Sequence, residues 1–151
     1  MSSDLLRARA TAETIAERLG VPVRVEPAWR EQGLGTLEGK LREDAWSHLP
    51  EEDWSADWRP EGGESTRDVY RRIAGFFAGL AATTTARELI VVTHGDALRI
   101  ALGLLDGAPP EAIPWAMAPN GAVLSQTTVR SGSGVWRAAA GCPIVRRGRS
   151  S

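Results

Sequence analysis

A short apolar run that leads directly into a polar turn places the strongest constraint on the fold of this chain. Residues 89–92 read Leu-Ile-Val-Val and are followed by the Thr-His-Gly of residues 93–95. A continuous apolar run of this length predicts a strand buried on both faces in a parallel sheet. A helix is predicted next, over residues 97–105, and Gly107 ends it. This order places His94 at the carboxyl edge of the sheet, where open α/β sheets bind their ligands.

The first helix and the strand after it are predicted from two different periodicities. Apolar side chains recur at helical spacing over residues 5–19, with Ser3 placed to cap the start of the helix and Gly20 to end it. Residues 21–25 alternate between apolar and other side chains, which predicts a short strand. A helix followed by a strand begins the alternating order of an α/β domain.

A second long helix is the clearest secondary-structure prediction. Residues 65–68 read Ser-Thr-Arg-Asp, a capping-box start with Asp in place of the usual Glu or Gln, and apolar side chains then share one face over residues 69–80. Two closing strands are predicted at residues 123–129 and 135–139. Alternating strands and helices predict an α/β fold of three layers, α-β-α, around a mostly parallel sheet.

Composition limits the class of protein. The 151 residues carry 18 Lys and Arg against 19 Asp and Glu, a balance that argues against nucleic acid or an anionic membrane as partner. Only His48, His94 and Cys142 are soft donors, so we expect no metal or other cofactor and no internal disulfide. No run reaches transmembrane length, and the default expectation is a soluble cytoplasmic protein. We expect one domain over residues 1–142 and a disordered tail over residues 143–151.

Three stretches in a fixed order resemble the histidine phosphatase superfamily, the phosphoglycerate-mutase-like proteins. They are residues 2–13, which begin Ser-Ser-Asp-Leu-Leu-Arg-Ala, residues 30–39, which read Arg-Glu-Gln-Gly-Leu-Gly-Thr-Leu-Glu-Gly, and the Thr-His-Gly of residues 93–95. In that family an Arg-His-Gly at the end of the first strand supplies the nucleophilic histidine, well before the Ser-Ser segment. The 151 residues contain no Arg-His-Gly. The resemblance therefore implies a phosphoglycerate-mutase-like fold that is truncated, or incomplete, at its N-terminus.

The resemblance implies roles for three side chains. Arg7 matches the phosphate-binding arginine, in preference to Arg9, which we interpret as a surface residue. Glu31 matches the candidate general acid, which must hold a proton near neutral pH to protonate a leaving group. His94 matches the family's second histidine, which contacts the transferred phosphoryl group.

Neighbouring polar residues are predicted to have structural roles. Glu38 is expected to bond backbone amides beside Gly39. Contact of Glu64 with substrate is the less favoured interpretation, and Asp96 and His48 are expected at the surface or behind the site. The tryptophan-rich residues 41–60 are expected to form an excursion over the site, in which Trp54 and Trp58 line a lid or form a local cluster.

The activity implied by the resemblance is hydrolysis of a phosphomonoester, a small phosphorylated metabolite, through a phosphohistidine. In the family mechanism the first histidine attacks phosphorus, arginines and the second histidine stabilise the oxygens, and a carboxylic acid protonates the leaving group. Because the nucleophile is absent from this sequence, we expect the chain as it stands to be inactive. Two alternatives stay open: a non-catalytic relative that binds a phosphorylated ligand or a partner protein, and an enzyme completed by another chain. Substrate identity, phosphatase against mutase activity, and oligomeric state stay open as well.

Overall fold

Three helices dominate the part of the chain that the structure describes. The structure is a computed structural model, and it describes residues 1–41, 55–84, 88–115, 118–130, 136–139 and 145–147. Its helices are α1 (Leu6–Leu19), α2 (Thr66–Thr83) and α3 (Gly95–Asp106). Short 3₁₀ turns lie at Pro27–Trp29, Gly35–Leu37 and Pro110–Ala112. No helix within these ranges is long and apolar enough to cross a membrane.

Helix α1 has the predicted end but not the predicted start. Gly20 ends it in the left-handed conformation, at a φ of 65°, where its N–H bonds back to the last turn. The prediction that Ser3 caps the helix is wrong, because Leu5 occupies the N-cap position and no side chain caps it. Ser3 Oγ instead accepts the N–H of Leu5 at 3.2 Å, ahead of the first helical residue. Arg7 consequently lies in the first turn of α1.

Helix α2 begins as predicted. Ser65 Oγ accepts the N–H of Asp68 at 3.2 Å, and Asp68 Oδ2 accepts the N–H of Ser65 at 3.0 Å, which completes a capping box. The helix buries Val69 and Ile73 completely. These side chains belong to one core cluster, which also contains residues of α3, of the 3₁₀ turn at Pro27–Trp29 and of the segment after α3: Ala97, Ile100, Ala101, Trp29 and Ile113. The core therefore lies between α2 and α3.

Parallel pairing is present around Ser2. Ser2 forms parallel bridges with Val25 on one side and with Val92 on the other. The N–H of Ser3 donates to Val92 O at 3.0 Å, and the N–H of Val92 donates to Met1 O at 3.1 Å. The segments 24–26, 1–3 and 90–92 therefore lie side by side in that order.

The prediction of a strand buried on both faces at residues 89–92 is wrong in the described structure. Leu89 is 40% exposed and Ile90 is 51% exposed. Successive side chains of a strand point to opposite faces, so the exposure of these two neighbours leaves both faces partly uncovered. The described residues contribute helices, a few strands and the parallel pairing around Ser2. The three-layer arrangement around a mostly parallel sheet stays a prediction.

The described strands near the C-terminus form two antiparallel pairs. Strand β1 (Val123–Ser125) pairs antiparallel with β4 (Val145–Arg147), and β2 (Thr128–Arg130) pairs antiparallel with β3 (Trp136–Ala138). The predicted strand at residues 123–129 is thus divided between β1 and β2, and the partner of β1 comes from the segment expected to be a tail. Three residues considered in the sequence analysis lie outside the described residues: His48, Trp54 and Cys142.

Candidate active site

The N-terminal ends of two helices meet at the candidate site. Pairing of residues 1–3 with residues 90–92 brings the start of α1 beside the start of α3. As a result Arg7 Nε lies 3.2 Å from His94 Nδ1, although 87 positions separate the two residues. Helix N-termini present unpaired N–H groups and a partial positive charge, and an arginine adds a fork of donors. The arrangement suits a phosphoryl or other oxyanion.

His94 is a neutral group held at both ring nitrogens. Burial, with the positive charge of Arg7 as the second cause, lowers the pKa of His94 from 6.5 to about 4, and Asp4 opposes the shift. Its Nε2 lies 2.8 Å from Ser3 Oγ, and Ser3 is completely buried. At neutral pH the ring therefore carries one hydrogen and no charge.

Glu31 packs against the start of α3. Its Oε1 accepts three backbone N–H groups, from Gln32 at 3.1 Å, Asp96 at 3.2 Å and Ala97 at 3.3 Å. Burial, followed by the negative charge of Asp96, raises the pKa of Glu31, and the three hydrogen bonds only partly oppose this. The carboxyl group thus contacts the backbone two and three positions after His94, and its raised pKa favours the protonated form.

Arg72 of α2 fixes the loop that carries Glu31. Its guanidinium donates to three carbonyl oxygens, those of Ala28 at 2.6 Å, Arg30 at 2.7 Å and Glu31 at 3.2 Å. It also pairs with Glu64, with Nε 2.9 Å from Oε1. One side chain therefore links helix α2 to the backbone on both sides of Arg30.

The sequence analysis missed Arg72, because nothing local separates it from its neighbour. Arg71 precedes it on the same helix and belongs to the same charged run. The Arg71 side chain is 70% exposed, whereas that of Arg72 is 20% exposed. The difference arises from how α2 packs against the Glu31 loop, which no pattern in the sequence specifies.

Two glutamates hold the same loop in shape. Glu64 Oε2 accepts the N–H of Gly33 at 3.0 Å, and Glu38 Oε1 accepts the N–H of Leu34 at 3.3 Å. The loop passes very close to the turn before α2, since a Cβ built on Gly35 falls 2.1 Å from Glu61 O. Gly35 also has a φ of 52°, so glycine is required there. Glu38 therefore bonds the amide of Leu34, whereas the predicted contact was with amides beside Gly39.

Other charged residues near the site have partners of their own. Arg30 forms a bidentate ion pair with Asp4 and lowers the pKa of that carboxyl group. Arg9 points away along α1 and pairs with Glu13 at 3.5 Å. In the described residues no group of three His, Cys, Asp or Glu side chains could hold a metal ion.

The sequence profile of the histidine phosphatase superfamily, branch 1, matches residues 1–139 of this chain. The match spans most of the chain and includes all three stretches that carry the resemblance. The chain therefore belongs to the histidine phosphatase superfamily, as the sequence analysis predicted.

The similar proteins include mutases and phosphatases. The chain is 37% identical over 123 residues to the 2,3-bisphosphoglycerate-dependent phosphoglycerate mutase of Beijerinckia indica subsp. indica. It is 35% identical over 121 residues to the same enzyme of Afipia carboxidovorans. These alignments cover 75% and 74% of this chain but only 59% and 58% of the relatives. The chain thus spans about three fifths of the length of these relatives.

Solved structures show the same kinship at the level of the fold. A mycobacterial glucosyl-3-phosphoglycerate phosphatase superposes with a TM-score of 0.80 at 28% identity, covering 96% of this chain and 74% of that one. The complex of that phosphatase with inorganic phosphate gives a TM-score of 0.78 at 29% identity, covering 92% and 73%. The described elements therefore form part of a histidine phosphatase fold.

Proposed function

We propose that the junction of α1 and α3 is the phosphoryl site of a phosphomonoester hydrolase that acts on a small phosphorylated metabolite. The observation that carries the proposal is the 3.2 Å contact between Arg7 Nε and His94 Nδ1 at two facing helix N-termini. Family membership and a related phosphatase bound to inorganic phosphate support the same ligand chemistry. Related proteins named for phosphoglycerate substrates make a phosphoglycerate-type ester the first compound to test.

Each of the three site residues has a distinct part in the proposed reaction. Arg7 and His94 hold the oxygens of the phosphoryl group, where negative charge develops in the transition state. Glu31 protonates the leaving oxygen, a role that needs the raised pKa that burial and Asp96 give this carboxyl group. Because Oε1 already accepts three N–H groups, the transferable proton resides on Oε2.

Binding without turnover is the second candidate function for these 151 residues taken by themselves. The phosphohistidine route needs a nucleophilic histidine, and the sequence holds only His48 and His94 and no Arg-His-Gly. His94 already has a contact at each ring nitrogen. We propose that this chain alone binds a phosphoryl group and that hydrolysis depends on a nucleophile outside these residues.

Phosphate binding by matched arginine variants tests the site. Calorimetric titration with inorganic phosphate is expected to show that Arg7→Ala weakens binding about ten-fold or more, since a hydrogen bond to a charged group is lost. Arg9→Ala removes an exposed arginine of the same helix and is expected to change affinity by less than about two-fold. Equal losses in the two variants, or no binding by the parent chain, contradict the proposed site.

The same preparations distinguish the two candidate functions. We expect no turnover of p-nitrophenyl phosphate by the chain alone, while inorganic phosphate still binds. Turnover that His94→Ala abolishes contradicts the non-catalytic candidate and requires a nucleophile within the 151 residues.

A further inference from the structure

Ser3 is a buried partner of His94 to which the proposed function gives no role. Its side chain is completely buried, and its Oγ lies 2.8 Å from His94 Nε2 and 3.2 Å from the N–H of Leu5. It does not cap α1, which begins further along the chain. A hydroxyl group can donate one hydrogen bond and accept others, so this contact is able to reverse its direction.

Arg7 fixes the position of the ring hydrogen when no anion is present. The Nε of a guanidinium group always carries hydrogen and can only donate, so His94 Nδ1 must accept from Arg7. The single hydrogen of the neutral ring then lies on Nε2 and is donated to Ser3 Oγ. Ser3 Oγ then accepts hydrogen bonds from both Leu5 and His94. In this state the hydrogen of the Ser3 hydroxyl group has no acceptor among the described residues.

A phosphoryl anion reverses this requirement. An unprotonated phosphoryl oxygen only accepts, so His94 can help to bind such an oxygen only when Nδ1 carries hydrogen. Once Arg7 turns its donors to the anion, Nδ1 is released from the contact that keeps it an acceptor. The neutral ring can then move its hydrogen to Nδ1 if another group donates to Nε2, and Ser3 is the side chain that touches Nε2.

We propose that Ser3 is a positioning residue that lets His94 exchange its tautomer when a phosphoryl anion binds. Nε2 gives one proton to solvent water, Nδ1 takes one proton from solvent water, and the Ser3 hydroxyl keeps its hydrogen while it changes from acceptor to donor, so the ring takes up no net proton. The inference rests on the proposed phosphoryl site. It adds a group that sets how well His94 binds the anion.

The charges around the ring favour the neutral exchange over a doubly protonated ring. Arg7 and Arg72 both oppose positive charge on His94, and so does burial. Asp4 favours it, but Arg30 neutralises Asp4 through a bidentate ion pair. These protein groups disfavour a second ring hydrogen, whereas the negative charge of the bound anion favours it. Hydrogen on both ring nitrogens is therefore the competing outcome that the NMR experiment has to exclude.

Nitrogen NMR of the full chain labelled with ¹⁵N-histidine reads the tautomer directly. At neutral pH we expect His94 to carry hydrogen on Nε2 without phosphate and on Nδ1 with saturating inorganic phosphate, and His48→Gln assigns the signals. An unchanged tautomer, or hydrogen on both nitrogens, in a chain that binds phosphate overturns the role of Ser3 but not the site. Absence of phosphate binding overturns the proposed function itself.

A matched pair of serine variants tests Ser3 separately from the fold. Ser3→Ala removes the donor to Nε2, so phosphate affinity is expected to fall about five- to ten-fold, with hydrogen retained on Nε2. Ser2→Ala is the control, because Ser2 is equally buried but its hydroxyl donates to Ser3 O at 2.9 Å and not to the ring. Ser3→Cys keeps the volume and a weak donor, and its affinity is expected to lie between those of Ser3→Ala and the parent chain. Equal losses in Ser2→Ala and Ser3→Ala, or an exchange that persists in Ser3→Ala, overturn the proposal.

Discussion

At the scale of single residues, Glu31 combines two opposing influences on one carboxyl group. Three backbone N–H groups stabilise its charged form, whereas burial and Asp96 stabilise its neutral form. Burial and the charge of Asp96 have the larger effect, because removing a carboxylate from water costs more free energy than these hydrogen bonds recover. The raised pKa is what makes Glu31 suitable as a proton donor near neutral pH.

Substitution of Asp96 separates the two causes of the Glu31 shift. In Asp96→Asn the repulsive charge is removed, so the pKa of Glu31 is expected to fall toward its ordinary value, as followed by carbon NMR titration of its side-chain carboxyl. Asp106→Asn, at the other end of α3, is the control and is expected to leave the pKa unchanged. An unchanged pKa in Asp96→Asn contradicts the charge effect, and a pKa of Glu31 that is not raised in the parent chain contradicts its role as an acid.

Sequence reasoning found Arg7, Glu31 and His94 as candidates because each lies in a short motif with a recognisable order. It did not find Arg72, and it assigned Ser3 to a helix cap. Both residues act across the fold, with Ser3 91 positions from His94 and Arg72 41 positions from Glu31. Contacts of this kind depend on how separate elements pack, and local pattern carries no information on that packing.

At the scale of elements, α3 depends on a close approach at Gly103. A Cβ built there falls 2.7 Å from Ile113 Cγ1, and Ile113 is buried in the core. Glycine inside a helix ordinarily costs about 0.5–1 kcal/mol relative to alanine. Gly103 therefore lets the segment after α3 fold back onto the helix, at some cost in helix propensity.

Two glycine variants test this packing. Gly103→Ala is expected to lower the free energy of unfolding by about 1–2 kcal/mol, because the added methyl group overpacks the contact with Ile113. A Cβ built on Gly75, inside α2, meets no atom within 4 Å. Gly75→Ala is therefore expected to raise the free energy of unfolding by about 0.5–1 kcal/mol. Urea unfolding measures both values. A stabilised Gly103→Ala chain contradicts the close packing of α3 on Ile113.

Local signals predicted the helices better than the strands. A few neighbouring residues were enough to predict the start of α2 at Ser65, the end of α1 at Gly20 and the apolar faces of the helices. The structure confirms these predictions. The pairing of Ser2 with Val25 and Val92, and of β1 with β4, joins distant segments whose register no short pattern fixes. The burial predicted for residues 89–92 likewise depends on distant elements that cover the two faces of the sheet.

At the scale of the whole molecule, the junction of α1 and α3 is the feature on which the proposed function depends. Parallel pairing around Ser2 aligns the starts of α1 and α3, and this alignment brings Arg7 to His94. Membership of the histidine phosphatase superfamily supports the proposal that this junction binds a phosphoryl group. The chain spans about three fifths of the relatives named above, so the full reaction of those proteins is a proposal for this one.

A crystal structure of this chain with orthovanadate, which imitates a phosphoryl group, tests the central claim most directly. We expect the anion between the starts of α1 and α3, within hydrogen-bond distance of the Arg7 guanidinium and His94 Nδ1, with Ser3 Oγ still in contact with Nε2. An anion bound away from both Arg7 and His94, at a concentration that saturates binding in solution, contradicts the assignment of this junction as the phosphoryl site.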